Sequence, residues 1–234
     1  MRKNKLISLL VVMAMIVSLF TGLTISVSAL TGSGTESNPY LISSAADLNA
    51  ISNLNAYYKL TADITASASW SGLGSSAISS AGTSSPYETD SADGFAGTLD
   101  GDGHTITVTR TVSAGGQGGV VNYLAPTGVI KNLNVEGSVT ATGSVDAIGG
   151  VVGYNSGIID NVSSSVIVTA NRAYNVGGIA GFNNGYYDSD GSYSASAEAY
   201  ILNSKNDGSV TGYHKVGGII GENSGTINSC HMEN

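Results

Sequence analysis

Three observations predict an all-β protein, a right-handed parallel β-helix (a solenoid) with a short N-terminal capping helix. Three glycine doublets recur with their surroundings: IGGVVGYNSG from Ile148, VGGIAGFNNG from Val176 and VGGIIGENSG from Val216. Around them lie short runs rich in Val, Ile, Thr and Ser, split by Gly and Asn. That is a strand-and-turn pattern, whereas helical repeats need long stretches at 3.6-residue spacing. The single cysteine, Cys230, leaves no disulfide framework, so core packing and backbone ladders must hold the chain.

Taken in order, Arg2, Lys3 and Lys5 precede an apolar run from Leu6 to about Leu23 and the small residues Val27-Ser28-Ala29. This is the layout of a secretory signal peptide over residues 1–29, cleaved after Ala29. The alternative is a membrane anchor, because the run is nearly long enough to span a bilayer. Cleavage predicts an exported chain at the cell surface or secreted, with no membrane insertion afterwards. It removes three bases and no acid, leaving 17 acids against 6 of the 9 bases. So acidic a protein lacks the basic patches that nucleic acid or an anionic membrane requires.

Residues 30–56 form the expected cap segment. Ser43 or Ser44 can cap a helix there, and Leu41, Ala45, Leu48 and Ile51 fall on one face. An amphipathic helix would plug the apolar end that a stacked β architecture leaves open. From 57 to 234 the β-helix follows, opening with alternating strands in YYKLTADIT from Tyr57 and FAGTLDGDGHTITVT from Phe95. A worn copy of the repeat, GGVVNYLAPTGVIKNLNVEGSVT, starts at Gly118, and its VEGSVT anticipates the NDGSVT that starts at Asn206.

The clearest repeats occupy about 148–234, with doublets 28 and then 40 residues apart. One insertion explains the difference: Gly157 to Ile159 and Gly225 to Ile227 each span two residues, whereas Gly185 to Ile201 spans sixteen. Glycine suits corners that need φ > 0 or exclude side chains, and Asn tolerates left-handed corners and bonds its own backbone. In the last repeat Cys230 is expected in the place of Lys205, as a small filler rather than a reactive thiol. The repeat stops where a corner and strand are due, which predicts a C-terminal truncation or a piece of a larger surface protein.

The segments GGVVGYNSGIIDN, GGIAGFNNG and GGIIGENSGTINSC resemble the GLUG motif, a repeat of bacterial secreted and cell-surface proteins. Among these are adhesin-like proteins and the non-catalytic region of IgA-specific metallopeptidases. The motif's leucine is replaced by Val151, Ile179 and Ile219, all apolar. The resemblance implies a β-helical fold and a surface location, and it supplies no active site.

Chemistry is sparse. The glycine-rich GGQGG (115–119) and GDGH (101–104) lack the Lys-Ser/Thr and the following helix of a phosphate loop. His104, His214 and His231 form no H-E-x-x-H zinc pattern. A polysaccharide lyase or hydrolase would need paired carboxylates on one face. The densest acids are Asp90, Asp93, Asp100 and Asp102, and the last two sit in a turn where they can fix the backbone. The favoured binding loop is the insertion, with Tyr186, Tyr187, Asp188, Asp190, Tyr193 and Tyr200. Insertions in solenoids gather on one face, and tyrosine can stack on a sugar or anchor a partner. Its residues 188–198 fail the EF-hand register and leave only a loop-type Ca²⁺ site to consider, so no cofactor is expected.

The predicted function is therefore a non-catalytic surface or secreted module for adhesion, binding or support, with a host or bacterial surface protein or glycan as partner. The alternatives are a carbohydrate-active β-helix and the non-catalytic region of a surface metallopeptidase.

Overall fold

The computed structural model describes residues 30–74, 94–113, 116–184 and 199–233. The signal segment, Asp90, Asp93 and the insertion with its tyrosines, acids and 188–198 loop (Tyr200 apart) lie outside the described residues.

Strand follows strand along the chain. The first group is β1 (Tyr40–Ile42), β2 (Tyr57–Leu60), β3 (Ile64–Thr65), β4 (Thr98–Asp100) and β5 (Thr105–Val112). Next come β6 (Gln117–Gly118), β7 (Val121–Leu124) and β8 (Val129–Ala141). The first clear repeat supplies β9 (Val145–Gly149), β10 (Val152–Asn155), β11 (Ile158–Ser164) and β12 (Ile167–Ala170). The second supplies β13 (Ala173–Gly177), β14 (Ala180–Asn183), β15 (Tyr200–Leu202), β16 (Lys205–Asn206) and β17 (Val210–Gly212). The third supplies β18 (Val216–Gly217), β19 (Ile220–Asn223), β20 (Thr226–Asn228) and β21 (His231–Met232).

These strands form three parallel sheets. The first runs β1-β2-β4-β8-β11-β15-β20, with β3, β5, β12, β16, β17 and β21 paired alongside. The second is β7-β10-β14-β19 and the third β6-β9-β13-β18. Each repeat thus visits the third, second and first sheets in turn, and each strand pairs with its counterpart in the next repeat. The register matches equivalent residues: Leu99, Ile130, Ile159, Ile201 and Ile227 form one row across the first sheet. All but Ile227 are fully buried, and each such side chain contributes about 1.5–3 kcal/mol. The register also pairs Val139 and Val210 with Val168, as the likeness of VEGSVT to NDGSVT requires.

The motif's glycines are demanded by close approach. A Cβ on Gly149, Gly177 or Gly217 would stand 2.0, 2.0 or 1.9 Å from the carbonyl oxygen three residues on. A Cβ on Gly153, Gly181 or Gly221 would meet the backbone nitrogen of Gly118, Ile148 or Val176 at 2.6, 2.5 or 2.4 Å. Along this row the second and third sheets press together backbone to backbone. None of these six glycines has positive φ. Left-handed geometry among non-glycine residues falls instead to Asp102, Asn132, Asn161, Asn203, Lys215 and Ser229, with φ between 43° and 55°. There Asn161 donates to Asn132 Oδ1 at 2.9 Å and Asn203 to Asp160 Oδ1 at 2.8 Å.

The motif's asparagines do something different. Asn155 Nδ2 donates to Asn183 Oδ1, and Asn183 Nδ2 to Asn223 Oδ1, each at 2.7 Å. Asn155 Oδ1 also accepts from the Gly157 amide at 3.1 Å. Asn155 and Asn183 are wholly buried, and Leu124 occupies the ladder position in the preceding repeat.

Two local expectations are corrected. The helix α1 (Ala45–Asn49) is only five residues long, because Leu41 belongs to β1 and is exposed on its surface. Ser44 is its N-cap, accepting from the Asp47 amide at 3.2 Å, while Asp47 Oδ2 accepts from the Ser43 hydroxyl at 2.8 Å. In the tail, Lys205 pairs with His231, so Cys230 stands opposite Ser204 rather than Lys205. Ser229 then takes the left-handed place of Asn203, and a one-residue slip would have turned every side chain over.

Replacing Asn183 with Ala should remove both amide bonds inside the ladder and lower stability by about 2–3 kcal/mol, since buried partners lose satisfaction. Urea denaturation checks this; an unchanged midpoint would show that the ladder contributes nothing.

Candidate functional site

Residues of the second and third sheets line a groove with a cavity of about 280 Å³. Three rows of side chains line it. The third sheet supplies Gln117, Ala147 and Asn175, which are strand partners in register, and then Lys215 beside β18. The second sheet supplies Tyr154, Phe182 and Glu222, also in register. Asp146, Tyr174 and His214 form the outer row.

The aromatic wall is well packed. Tyr123 meets Tyr154 edge-on at 5.6 Å and Tyr154 meets Phe182 at a tilt at 5.0 Å, and the three form, with Ala125 and Ala147, a second apolar cluster. Asn184 donates to the Tyr154 hydroxyl. Toward solvent, the Tyr174 ring lies edge-on to His214 at 6.2 Å and is 59% exposed. At the C-terminal end Lys215 bridges the two sheets to Glu222 at 2.5 Å.

The groove carries unmet polar capacity. Gln117 is 1% exposed, and among the described residues neither its Oε1 nor the buried Asn175 Oδ1 has a hydrogen-bond partner. Such oxygens are rare in folded proteins and call for an explanation. Asp146 is exposed by area, yet crowding by the groove walls desolvates its carboxyl and raises its pKa. Among the described residues Asp146 has no ion pair. Sequence reasoning missed Gln117, Asp146 and Asn175, because they come from three repeats and share no local motif.

The acids singled out from sequence are engaged elsewhere. Burial alone would raise the Asp100 carboxyl, but bonds from Asn132 Nδ2, the Asp102 amide and Lys131 outweigh it and hold the pKa low. Asp102 pairs with Lys59 at 3.0 Å, so this turn is a cross-strand tie. His104 meets Asp63 and His231 meets Glu233, at 3.3 and 3.5 Å. Of the expected binding loop, only Tyr200 lies within the described residues, half-buried in β15 beside Ile158. Among the described residues no group of three or more His, Cys, Asp or Glu could hold a metal ion, and no helix is long and apolar enough to cross a membrane.

No family model matches the chain. It is 40% identical over 151 residues to halomucin of Haloquadratum walsbyi, covering 60% of this chain and 2% of that protein. It is 30% identical over 149 residues to a protein of Evansella cellulosilytica provisionally named a Gly-rich membrane protein, covering 58% of this chain and 15% of that one. The chain therefore matches only a small part of either relative. A solved structure from Bacteroides ovatus, provisionally named an immunoglobulin A1 protease, aligns over 86% of this chain and 66% of its own, at 24% identity and a TM-score of 0.46.

Because the folded Asp146 pKa is raised, folding is opposed once pH exceeds the unfolded value near 4, where the unfolded carboxyl ionises. Asp146→Asn should therefore raise the melting temperature slightly at pH 7 and leave it unchanged near pH 3. Melting curves at both pH values test this, and a fall at pH 7 would contradict it.

Proposed function

We propose that the chain is a right-handed parallel β-helix with GLUG-type repeats, closed at its N-terminal end by α1. On this reading it is exported and acts at the cell surface as a non-catalytic binding or supporting module. The observation that carries it is the in-register return of each repeat to the same three sheets, with core rows, glycines and an amide ladder all spent on stacking. Leu48 of α1 packs into the main core, as a cap requires. Similarity to halomucin and to a protein named for the membrane supports a surface location. Short matches inside much longer relatives suit a module used in extended arrays.

The carbohydrate-active alternative loses its described carboxylates, Asp100 and Asp102, to Lys131 and Lys59. Protease treatment of intact cells should remove the protein from the surface fraction, and the purified protein should release no reducing ends or unsaturated sugars from a polysaccharide panel. Turnover lost on changing Asp100 or Asp102 to Asn would overturn the non-catalytic reading. Protection from protease in intact cells would overturn the surface one.

A further inference from the structure

We propose that the groove between the second and third sheets receives the ammonium group of a lysine side chain presented by a protein partner. This rests on the reading of the chain as a binding module and names what that module recognises.

Three features of the groove select a cation. First, its buried unmet polar atoms are both acceptors, Gln117 Oε1 and Asn175 Oδ1, and beside them stands the Asp146 carboxylate, which has no ion pair among the described residues. Lys215 could neutralise the site, but its ammonium is already held by Glu222. Secondly, rings of Tyr154, Phe182 and Tyr174 line the cavity, and an aromatic face attracts an ammonium group most strongly where water is displaced. Thirdly, the carboxyl of Asp146 is partly desolvated, so a cation near it gains more than it would beside a fully hydrated acid.

Lysine, rather than another cation, is indicated by the groove's own construction. At its far end the Lys215–Glu222 pair already seats a lysine ammonium between the two sheets. In the repeats before it, the same third-sheet row carries Asn175, Ala147 and Gln117, and among the described residues no lysine pairs with Asp146. Ala147 is small and lies between the two amide side chains, leaving a floor with acceptors on both sides. A cavity of about 280 Å³ fits one long side chain, not a folded segment. Arg172 stands in the neighbouring hollow with Ser144, Asn171 and Tyr213, and so borders the mouth rather than filling the groove.

The test uses the purified full chain and a capped Gly-Ala-Lys-Ala-Gly peptide, titrated by NMR or calorimetry against its norleucine counterpart and against glucosamine. The lysine peptide should bind at least tenfold more tightly than the norleucine peptide and more tightly than glucosamine, and should weaken as salt rises. Asp146→Asn should lower affinity at least tenfold without lowering the melting temperature. Gln117→Met should weaken binding severalfold with the fold retained, since it removes an unpartnered buried oxygen. Binding of norleucine equal to lysine, no binding by the lysine peptide, or full affinity in Asp146→Asn would each overturn the proposal. Preference for glucosamine would transfer the site to an amino-sugar polymer and equally overturn it. Polysaccharide turnover or an intracellular location would sink the surface-module reading while leaving lysine binding intact, so the two failures are distinguishable.

Discussion

The architecture depends on one close contact, the backbone-to-backbone approach of the second and third sheets at Gly153, Gly181 and Gly221. No side chain fits between β10 and the third sheet along that row, or between their equivalents in the next repeats. The sheets are pinned together there, and the residues that follow in the second sheet (Tyr154, Phe182 and Glu222) line the groove together with Ala147 and Lys215 of the third-sheet row. The groove is the direct result of that pinning. A larger residue at any of the three positions would wedge the sheets apart and dissolve the aromatic wall together with the corner.

The same contact explains why repeats so short are stable at all. Each has only strands of two to seven residues in its three later copies, too little for an isolated hairpin to hold. Stacked in parallel, their Ile and Val rows become continuous, and the buried polar atoms answer one another across repeats instead of facing water. Arg110 shows the limit of this arrangement. It takes an inward position in β5, and its guanidinium donates to the carbonyls of Gly119 and Ser71 and to Asn122 Oδ1. Desolvation pushes its pKa down to about 10. Before the regular repeats begin, a charged side chain does the joining that aliphatic rows do later.

Much of the β layout could be read from the sequence, because glycine, asparagine and apolar positions recur together and parallel pairing aligns like with like. Ile159, Ile201 and Ile227 meet as the repeat spacing requires. Glycine and asparagine were harder to read, since each residue type suits more than one backbone role. The motif glycines answer crowding, and Asn132, Asn161 and Asn203 take the left-handed turns, while Asn155 and Asn183 build the ladder. The tail slipped by one because Asn-Ser occurs at 203–204 and at 228–229, and only strand pairing shows that the copies are offset. α1 was overextended because Leu41 fits a helical face as well as a strand. The groove was invisible for a different reason: its residues are neighbours across repeats, about 30 residues apart in the chain, and align only once strands β6, β9 and β13 are paired.

The amide ladder has a consequence for how such a chain can change. Asn183 reaches back 28 residues to Asn155 and forward 40 residues to Asn223, with the same 2.7 Å bond on both sides. Alignment is thus kept by paired amides and not by counting residues. Extra sequence can enter between a ladder asparagine and the next strand while the rows on either side stay matched. A lineage built on this device is free to vary its loops in length and composition while its stacked frame remains unaltered.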